Sequence, residues 1–341
     1  MLIRSCVLAA ALLTTTSVLA QDRTFTDAGG RVVEIPETIG TVLTAGPPAA
    51  VLVYTLAPEK LAGWVSEPSE AQREFLSHEV QDLPTYGRLT GQGGTANMEA
   101  VLAAQPDIIL DLGTVNDTYI SLADQVQEQT GIPYILIDGS FATTAETYRL
   151  LGDLLGVEER AEILAAYAEQ TLADIEAAVS AAPEDQRPRV YYGRGADGLE
   201  TGLATSINLE LLSYAGAENV AAAAGPGGLT NVSLEQILDW NPDVIIAARP
   251  DFAETVRNDP LWAEIAAVQH GAVYAAPSRP FGWFDTPPGV NRLIGVRWLQ
   301  NLFYPETVAE PLQEQVKTYF DLFYHVDLTD AQVEDLLTGA L

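Results

Sequence analysis

Three glycines in the stretch Val190 to Gly198, VYYGRGADG, have the GxGxxG spacing found in dinucleotide-binding sites. In such a site the glycines turn a strand directly into a helix N-terminus, and an acidic residue follows about 20 positions later. Here the chain runs on through Leu199 to Gly202, and the next helical pattern begins near Ser206 or Ile207. The position where the acid belongs, around Ser213, falls within that helix. The sequence therefore argues against a dinucleotide site.

The same stretch is better interpreted as part of a binding-site wall. Ligands of α/β units bind beyond the carboxyl ends of the strands, which is where Tyr192 and Arg194 lie. Arginine and aromatic side chains that suit a large anionic chelate recur at other predicted strand ends and in two loops. A core position for the aromatics and a solvated position for each arginine are the alternatives. The other candidate ligand-binding residues are Pro47, Arg88, Thr114, Arg249, Arg279, Trp283 and Phe284.

Patterns that indicate catalysis are missing from the sequence. Its three histidines, His78, His270 and His325, are far apart, and no HExxH, GxSxG or Walker motif is present. The many carboxylates do not single out a catalytic pair. We therefore expect a binding protein with no enzymatic activity, no cofactor and no bound metal ion of its own. An exported two-lobed α/β hydrolase or lyase is the alternative.

The first twenty residues have the pattern of a secretory signal peptide. Arg4 precedes an apolar segment, and the small residues Val18 and Ala20 precede Gln21, which predicts cleavage after Ala20 and export to the periplasm. The only cysteine, Cys6, would be removed with this segment, and no later apolar run is long enough to span a bilayer. The net charge of −30 argues against nucleic acid and anionic lipid as partners.

Two copies of one pattern, 136 positions apart, indicate the fold. Asn97 to Asp107 reads NMEAVLAAQPD and Ser233 to Asp243 reads SLEQILDWNPD, and each leads into a short β-branched run. This pattern predicts an amphipathic helix, stopped at proline, that feeds a buried parallel strand. A candidate strand and helix precede each copy and another strand follows it. The chain is therefore predicted to contain two similar α/β units.

A long helical segment separates the two units. Residues 144–182 carry apolar side chains at helical spacing, and Gly152 and Gly156 are expected to weaken this helix without ending it. At 1.5 Å per residue it would span roughly 58 Å. We expect two Rossmann-like α/β lobes joined by one long rigid helix, with a C-terminal tail that packs back on a lobe. The predicted boundaries are a signal peptide at 1–20, lobes at 21–143 and 183–305, the helix at 144–182, and a helical tail at 306–341.

These features together resemble one family of transport proteins. The segment Phe25 to Pro36 (FTDAGGRVVEIP), the two Glu…Pro-Asp repeats and the long helix are similar to the periplasmic substrate-binding proteins of ABC importers for iron–siderophore, haem and cobalamin. The resemblance covers about residues 24 to 305. It implies a ligand held in the cleft between two lobes that move little, and delivery to a permease and its ATPase at the inner membrane. We expect a monomer.

The resemblance also implies roles for particular residues. In this family one glutamate per lobe docks onto arginines of the permease, and Glu99 and Glu235 occupy those positions; a helix-dipole or capping role is the alternative. A ferric siderophore fits the arginine and aromatic set. Haem, cobalamin and molybdate or tungstate stay open as ligands of the same fold. A haem carrier would use Tyr192 or Tyr191 as the axial ligand.

Overall fold

The computed structural model of the protein describes residues 23–90, 94–183 and 187–341. The predicted signal peptide, its cleavage point and Cys6 lie outside the described residues. The strands are β1 (Arg23–Thr26), β2 (Val32–Ile35), β3 (Val42–Thr44), β4 (Ile108–Gly113), β5 (Tyr134–Asp138), β6 (Arg189–Gly193), β7 (Glu200–Gly202), β8 (Glu218–Asn219), β9 (Leu229–Asn231), β10 (Val244–Ala247) and β11 (Val273–Ala275).

The helices lie around these strands. They are α1 (Pro47–Leu56), α2 (Glu70–Arg73), α3 (Met98–Ala104), α4 (Asp117–Thr130), α5 (Thr144–Leu155), α6 (Glu158–Ala181), α7 (Glu210–Tyr214), α8 (Leu234–Trp240), α9 (Pro250–Asn258), α10 (Ala266–Gln269), α11 (Arg292–Phe303), α12 (Leu312–Tyr319) and α13 (Asp330–Leu336).

Each lobe is built on one parallel sheet. The first lobe has the strand order β3-β4-β5, and the second has β11-β10-β6-β8. The central strands β4 and β10 are buried, and apolar apart from Asp111 in β4, because helices cover both faces of a parallel sheet. The antiparallel pairs β1-β2 and β7-β9 lie beside these sheets. The predicted fold class, two α/β lobes with parallel sheets, is confirmed.

The two sequence repeats adopt the same local structure. In each, an N-cap side chain (Asn97 or Ser233) accepts backbone N–H groups of the first helical turn of α3 or α8. Each helix ends in a left-handed residue, Gln105 at φ 47° and Asn241 at φ 44°, which stand at equivalent positions of the repeats. The proline that follows prevents the helix from continuing, so the chain enters β4 or β10.

The aspartate of each Pro-Asp pair stabilises the neighbouring strand. Asp107 Oδ2 accepts the N–H groups of Gly40 and Thr41 at 2.7 and 2.8 Å, just before β3. Asp243 Oδ2 accepts the N–H of Arg189, the first residue of β6, at 3.2 Å. The repeated Pro-Asp pair therefore has a structural role at the amino ends of the strands, away from the cleft.

The prediction of one continuous helix over residues 144–182 is wrong. The chain forms α5 and α6, and Gly156 ends α5 in the left-handed conformation at φ 69°. The two helices then pack side by side, so closely that a Cβ on Gly152 would lie 2.4 Å from the Cβ of Ala161. The connector is therefore α6 alone, whose 24 residues span about 36 Å and contact α1 of the first lobe and α11 of the second.

The C-terminal tail contacts both lobes, whereas the sequence predicted contact with one. On the first lobe, the Tyr54 hydroxyl donates to the carbonyl of Tyr324, and burial raises the pKa of Tyr54 to about 12. On the second, the Ala275 N–H at the end of β11 donates to the carbonyl of Gly339 at 2.8 Å. The tail is thus a second connection between the lobes beside α6.

Candidate ligand-binding cleft

The carboxyl ends of the strands of the first sheet form one wall of a cleft. A cavity of about 200 Å³ lies there, lined by Pro47, Arg88 and Thr114 of the first lobe and closed by Ile207 and Pro288 of the second. A wider cavity of about 450 Å³ adjoins it and shares Thr114 and Ile207. Residues of both lobes therefore enclose the same space. The structure brings together three of the predicted ligand-binding residues, namely Pro47, Arg88 and Thr114.

Two sources of positive potential meet at the smaller cavity. The half-buried Arg88 lines it, and within the described part of the chain its guanidinium makes no ion pair. Helix α1 begins at Pro47, so the positive end of its dipole, equivalent to roughly half an elementary charge, faces the cavity. The first turn of α4 contributes Tyr119 to the same wall. The cavity therefore favours an anion in a molecule with a net charge of −30.

One acidic side chain, Asp111, also lines this cavity. It is 7% exposed and lies in β4, between Leu110 and Leu112. Burial raises the pKa of Asp111, although hydrogen bonds from Tyr134 and Thr90 act in the opposite direction. Sequence reasoning missed Asp111, Thr90 and Tyr119. A signal for Asp111 existed, since it is the only charged residue in the buried run IILDLG.

Tyr192 and Arg194 belong to a buried network in the second lobe. The Tyr192 hydroxyl donates to Asp285, and its ring stacks on Phe284 with the centroids 4.0 Å apart. Arg194 pairs with Asp285 at 2.8 Å and also with Glu200. Burial and the neighbouring Asp285 raise the pKa of Tyr192 well above its usual value. The positive charge of Arg194 is therefore neutralised within the protein, contrary to the expectation of a ligand-facing cation.

The aromatic candidates lie in the core. Trp283 is 0% exposed and lies in the core, contrary to the expectation that it lines the cleft. Phe284 is 1% exposed, but it lines a separate cavity of about 150 Å³ together with Tyr192 and with Gln72 of the first lobe. The two tyrosines considered as haem ligands are also occupied: the Tyr191 hydroxyl donates to the carbonyl of Gly198 at 2.7 Å, and Tyr192 to Asp285. Trp283, Phe284 and Tyr192 belong to the same apolar core cluster as residues of α11.

The last two predicted arginines have acidic partners outside the cleft. Arg249 precedes α9 and pairs with Asp251 at 2.6 Å, while half of its side chain stays exposed. Arg279 pairs with Asp335 of the tail at 2.6 Å, and its guanidinium lies over the ring of Phe75. These contacts give Arg279 a role in holding the tail, which differs from the ligand contact expected from the sequence.

A charged contact joins the lobes at the floor of the cleft. Arg292 of α11 is 2% exposed, and its guanidinium donates to the carbonyls of Gly139 in the first lobe and Ile207 in the second. The same group pairs with Glu210 at 2.9 Å, and Glu210 also accepts the N–H of Phe141. The two lobes are therefore joined through one ion pair, whose Glu210 also lines the wider cavity.

The glycines of the GxGxxG stretch lie in a tight turn that packs against the ring of Phe252. No helix follows them, because β6 ends at Gly193 and the chain turns into β7. Gly195 and Gly198 have φ of 79° and 67°, and a Cβ on Gly198 would lie 2.0 Å from the ring of Phe252. The glycines are therefore needed for a tight turn and for close packing against Phe252, in agreement with the argument against a dinucleotide site.

The two predicted docking residues, Glu99 and Glu235, are both exposed. Each lies in the first turn of its repeat helix, α3 or α8. Each helix ends where its strand begins, so its first turn lies towards the carboxyl end of the sheet, on the side of the cleft. Neither glutamate makes an ion pair with any residue that the structure describes. Their positions leave both carboxylates accessible to a partner.

Two α/β lobes, a connecting helix and a cleft at the strand ends define the class of two-lobed binding proteins. Residues 60–280 match the family model described as Periplasmic binding protein, which spans more than half of the chain. The chain belongs to this family, as its residues predicted. Substrate-binding proteins of this family deliver ligands to an ABC permease. No helix in the described ranges is both long and apolar enough to cross a membrane.

Individual relatives support this assignment over most of the chain. The chain is 29% identical to the molybdate-binding protein MolA of Haemophilus influenzae, covering 93% of this chain and 95% of that protein. It is 28% identical to a cobalamin-binding protein of Halobacterium salinarum, and the match covers 73% of this chain and 64% of that protein. The solved structure of an ABC transporter solute-binding protein from Sulfurospirillum deleyianum is 31% identical and has a TM-score of 0.84. The match covers 93% of this chain and 99% of that one.

Proposed function

We propose that this protein is the periplasmic ligand-capturing component of an ABC importer and that its ligand is a small oxyanion of the molybdate class. The single observation that carries the choice of ligand is the 200 Å³ cavity, where Arg88 and the N-terminal end of α1 converge. Drug-sized ligands occupy pockets of about 300–1,000 Å³, so the smaller cavity suits a compact ion. The guanidinium of Arg88 and the positive end of the α1 dipole suit the oxygens of such an anion.

A ferric siderophore, the ligand favoured by the sequence, has weaker support. That preference depended on arginine and aromatic side chains at the strand ends. Trp283 and Phe284 are buried, and Arg194 and Arg279 already pair with carboxylates. The resemblance to the molybdate-binding protein over nearly the whole chain favours the oxyanion further. A chelate that extends into the wider cavity is the second candidate, because the two cavities share part of their lining.

Calorimetric titration of the exported chain without residues 1–20 tests the proposal. The ligands are molybdate, tungstate, sulfate, ferrichrome, haemin and cyanocobalamin. We expect micromolar or tighter binding of molybdate or tungstate. Arg88→Gln should weaken it by roughly 10- to 100-fold, because a hydrogen bond to a charged group contributes about 1.5–3 kcal/mol.

Arg249→Gln is the matched control, since it removes the same charge from an exposed arginine at a strand end of the other lobe. We expect the affinity of this variant to stay within about twofold of the parent value, because Arg249 lines neither cavity and already pairs with Asp251. Binding of a chelate alone, with an affinity that Arg88→Gln does not change, would contradict the oxyanion assignment.

A further inference from the structure

Asp111 is an acid placed in a cavity that otherwise favours anions. Its side chain is 7% exposed, and among the residues that the structure describes no arginine or lysine lies within 4 Å of its carboxylate. Arg88 lines the same cavity without pairing with it. An ionised Asp111 would therefore repel a bound anion at close range, in surroundings where water screens the repulsion poorly.

The hydrogen bonds around Asp111 accommodate both of its protonation states. Its Oδ2 accepts the hydroxyl of Tyr134 at 3.0 Å. Its Oδ1 lies 3.3 Å from Thr90 Oγ1, and the same Thr90 hydroxyl lies 3.4 Å from the carbonyl of Ala45. When Asp111 is ionised, Thr90 can donate to it. When Asp111 is protonated, Thr90 can donate to Ala45 instead and leave the acid proton for another acceptor.

Other ionisable groups near Asp111 are tyrosines and arginines. Tyr134 comes from β5, and burial and the adjacent Asp111 raise its pKa far above its usual value, so it stays a neutral donor. Tyr119 of α4 lines the cavity, and Arg31 of the β1-β2 hairpin donates to the carbonyl of Tyr134 at 2.9 Å. Arg88 is the cation nearest the proposed anion. Asp111 is the one carboxyl group among the described residues that line this cavity, and burial raises its pKa.

We propose that Asp111 binds the oxyanion as a neutral acid, so that capture of a fully deprotonated anion takes up one proton from solution. The inference rests on the proposed function, because it assigns a role to one residue within the same cavity. The acid O–H donates to an oxygen of the anion, while Tyr134 keeps the second carboxyl oxygen in place. The one bond formed is the O–H bond of the Asp111 acid, whose proton comes from solution, and the anion itself stays fully deprotonated.

Binding of the anion then makes the pKa of Asp111 higher in the complex than in the unliganded protein. The affinity rises as the pH falls between these two values and is constant outside them. Within that window the dissociation constant changes by up to tenfold per pH unit, since one pKa unit corresponds to a factor of ten. The importer component would thus capture its ligand more tightly in an acidic medium.

Titration of molybdate into the whole exported chain, in buffers with different enthalpies of ionisation, counts the protons taken up. We expect up to one proton per molybdate for the parent protein. Asp111→Asn should take up none and should lose the pH dependence, because its amide donates at every pH. Asp138→Asn is the control: it removes an exposed acid beside the adjoining cavity and should leave the proton count unchanged.

The outcomes separate this inference from the proposed function. Binding of molybdate by the parent protein with no proton uptake at any pH between 6 and 8.5, a range that begins about two units above the pKa of an ordinary carboxyl, overturns the role of Asp111 and leaves the function standing. Absence of any oxyanion binding overturns both. The proton count of the parent protein tests the role of Asp111 even if the Asp111→Asn variant folds poorly.

Discussion

Arg88 is the residue on which the choice of ligand depends. Arg194, Arg249 and Arg279 each have a carboxylate within 3 Å, whereas Arg88 makes no ion pair with any residue described. A paired guanidinium has its charge compensated and its donors occupied, so it attracts an incoming anion weakly. The positive potential of the cleft is therefore concentrated in the first lobe.

Substitution of the two glycines after β6 tests how much each of them contributes to the stability of the folded protein. Gly195→Ala should cost about 1 kcal/mol, the usual penalty for a left-handed alanine, because nothing lies within 3.4 Å of the added Cβ. Gly198→Ala should cost about 3 kcal/mol or more, since its Cβ would also overlap the ring of Phe252. Urea unfolding of both variants measures the difference. Equal losses would show that Phe252 moves aside and that packing does not explain the spacing.

The sequence predicted which residues stand at strand ends better than it predicted where their side chains point. Pro47, Arg88 and Thr114 line the cavity as expected. The partner of Arg194, Asp285, is 91 positions away in the chain and reaches it only through the fold. A chain with 47 acidic residues offers many such partners, and no local pattern shows which of them pairs with a given arginine.

The repeat helices α3 and α8 are the elements through which we propose that the protein contacts its permease. Glu99→Ala combined with Glu235→Ala should leave molybdate affinity unchanged and abolish uptake. Uptake is measured in cells whose own copy of the gene carries the change. The exposed acids Glu176 and Glu254 supply the control, because changing both to alanine removes the same charge from other helices.

Loss of ligand binding in the purified Glu99 and Glu235 double variant would contradict this docking role. Equal loss of uptake in the control pair would also contradict it, since overall charge would then be the cause. The two helices should each lose only about 0.3–1 kcal/mol of stability from the missing N-terminal carboxylate. Thermal unfolding of the variant therefore separates a docking defect from a folding defect.

The elements predicted most accurately are those that repeat. The helix stopped at proline and the buried strand occur twice with the same spacing, and local sequence determines both of them. The break between α5 and α6 was missed, although Gly156 and the acidic Glu158 and Glu159 are an ordinary helix end followed by a helix start. The continuous apolar spacing concealed the break because α5 and α6 both face the same core.

At the scale of the whole molecule, three connections limit how the lobes can move. Helix α6 spans both lobes, the tail contacts both, and the buried Arg292 with Glu210 joins them at the floor of the cleft. Only α6 was foreseen as a brace. The tail and Arg292 act through contacts between distant parts of the sequence, which periodicity and spacing do not reveal.

The most direct test of the central claim is a crystal structure of the protein grown with molybdate, using the anomalous scattering of molybdenum to locate the anion. We predict a single strong peak in the cavity of the first lobe, within hydrogen-bond distance of Arg88 and Asp111 through the anion oxygens. A peak in the second lobe beside Tyr192 and Phe284 would contradict the account, because the anion would then occupy the wall whose charges are already paired.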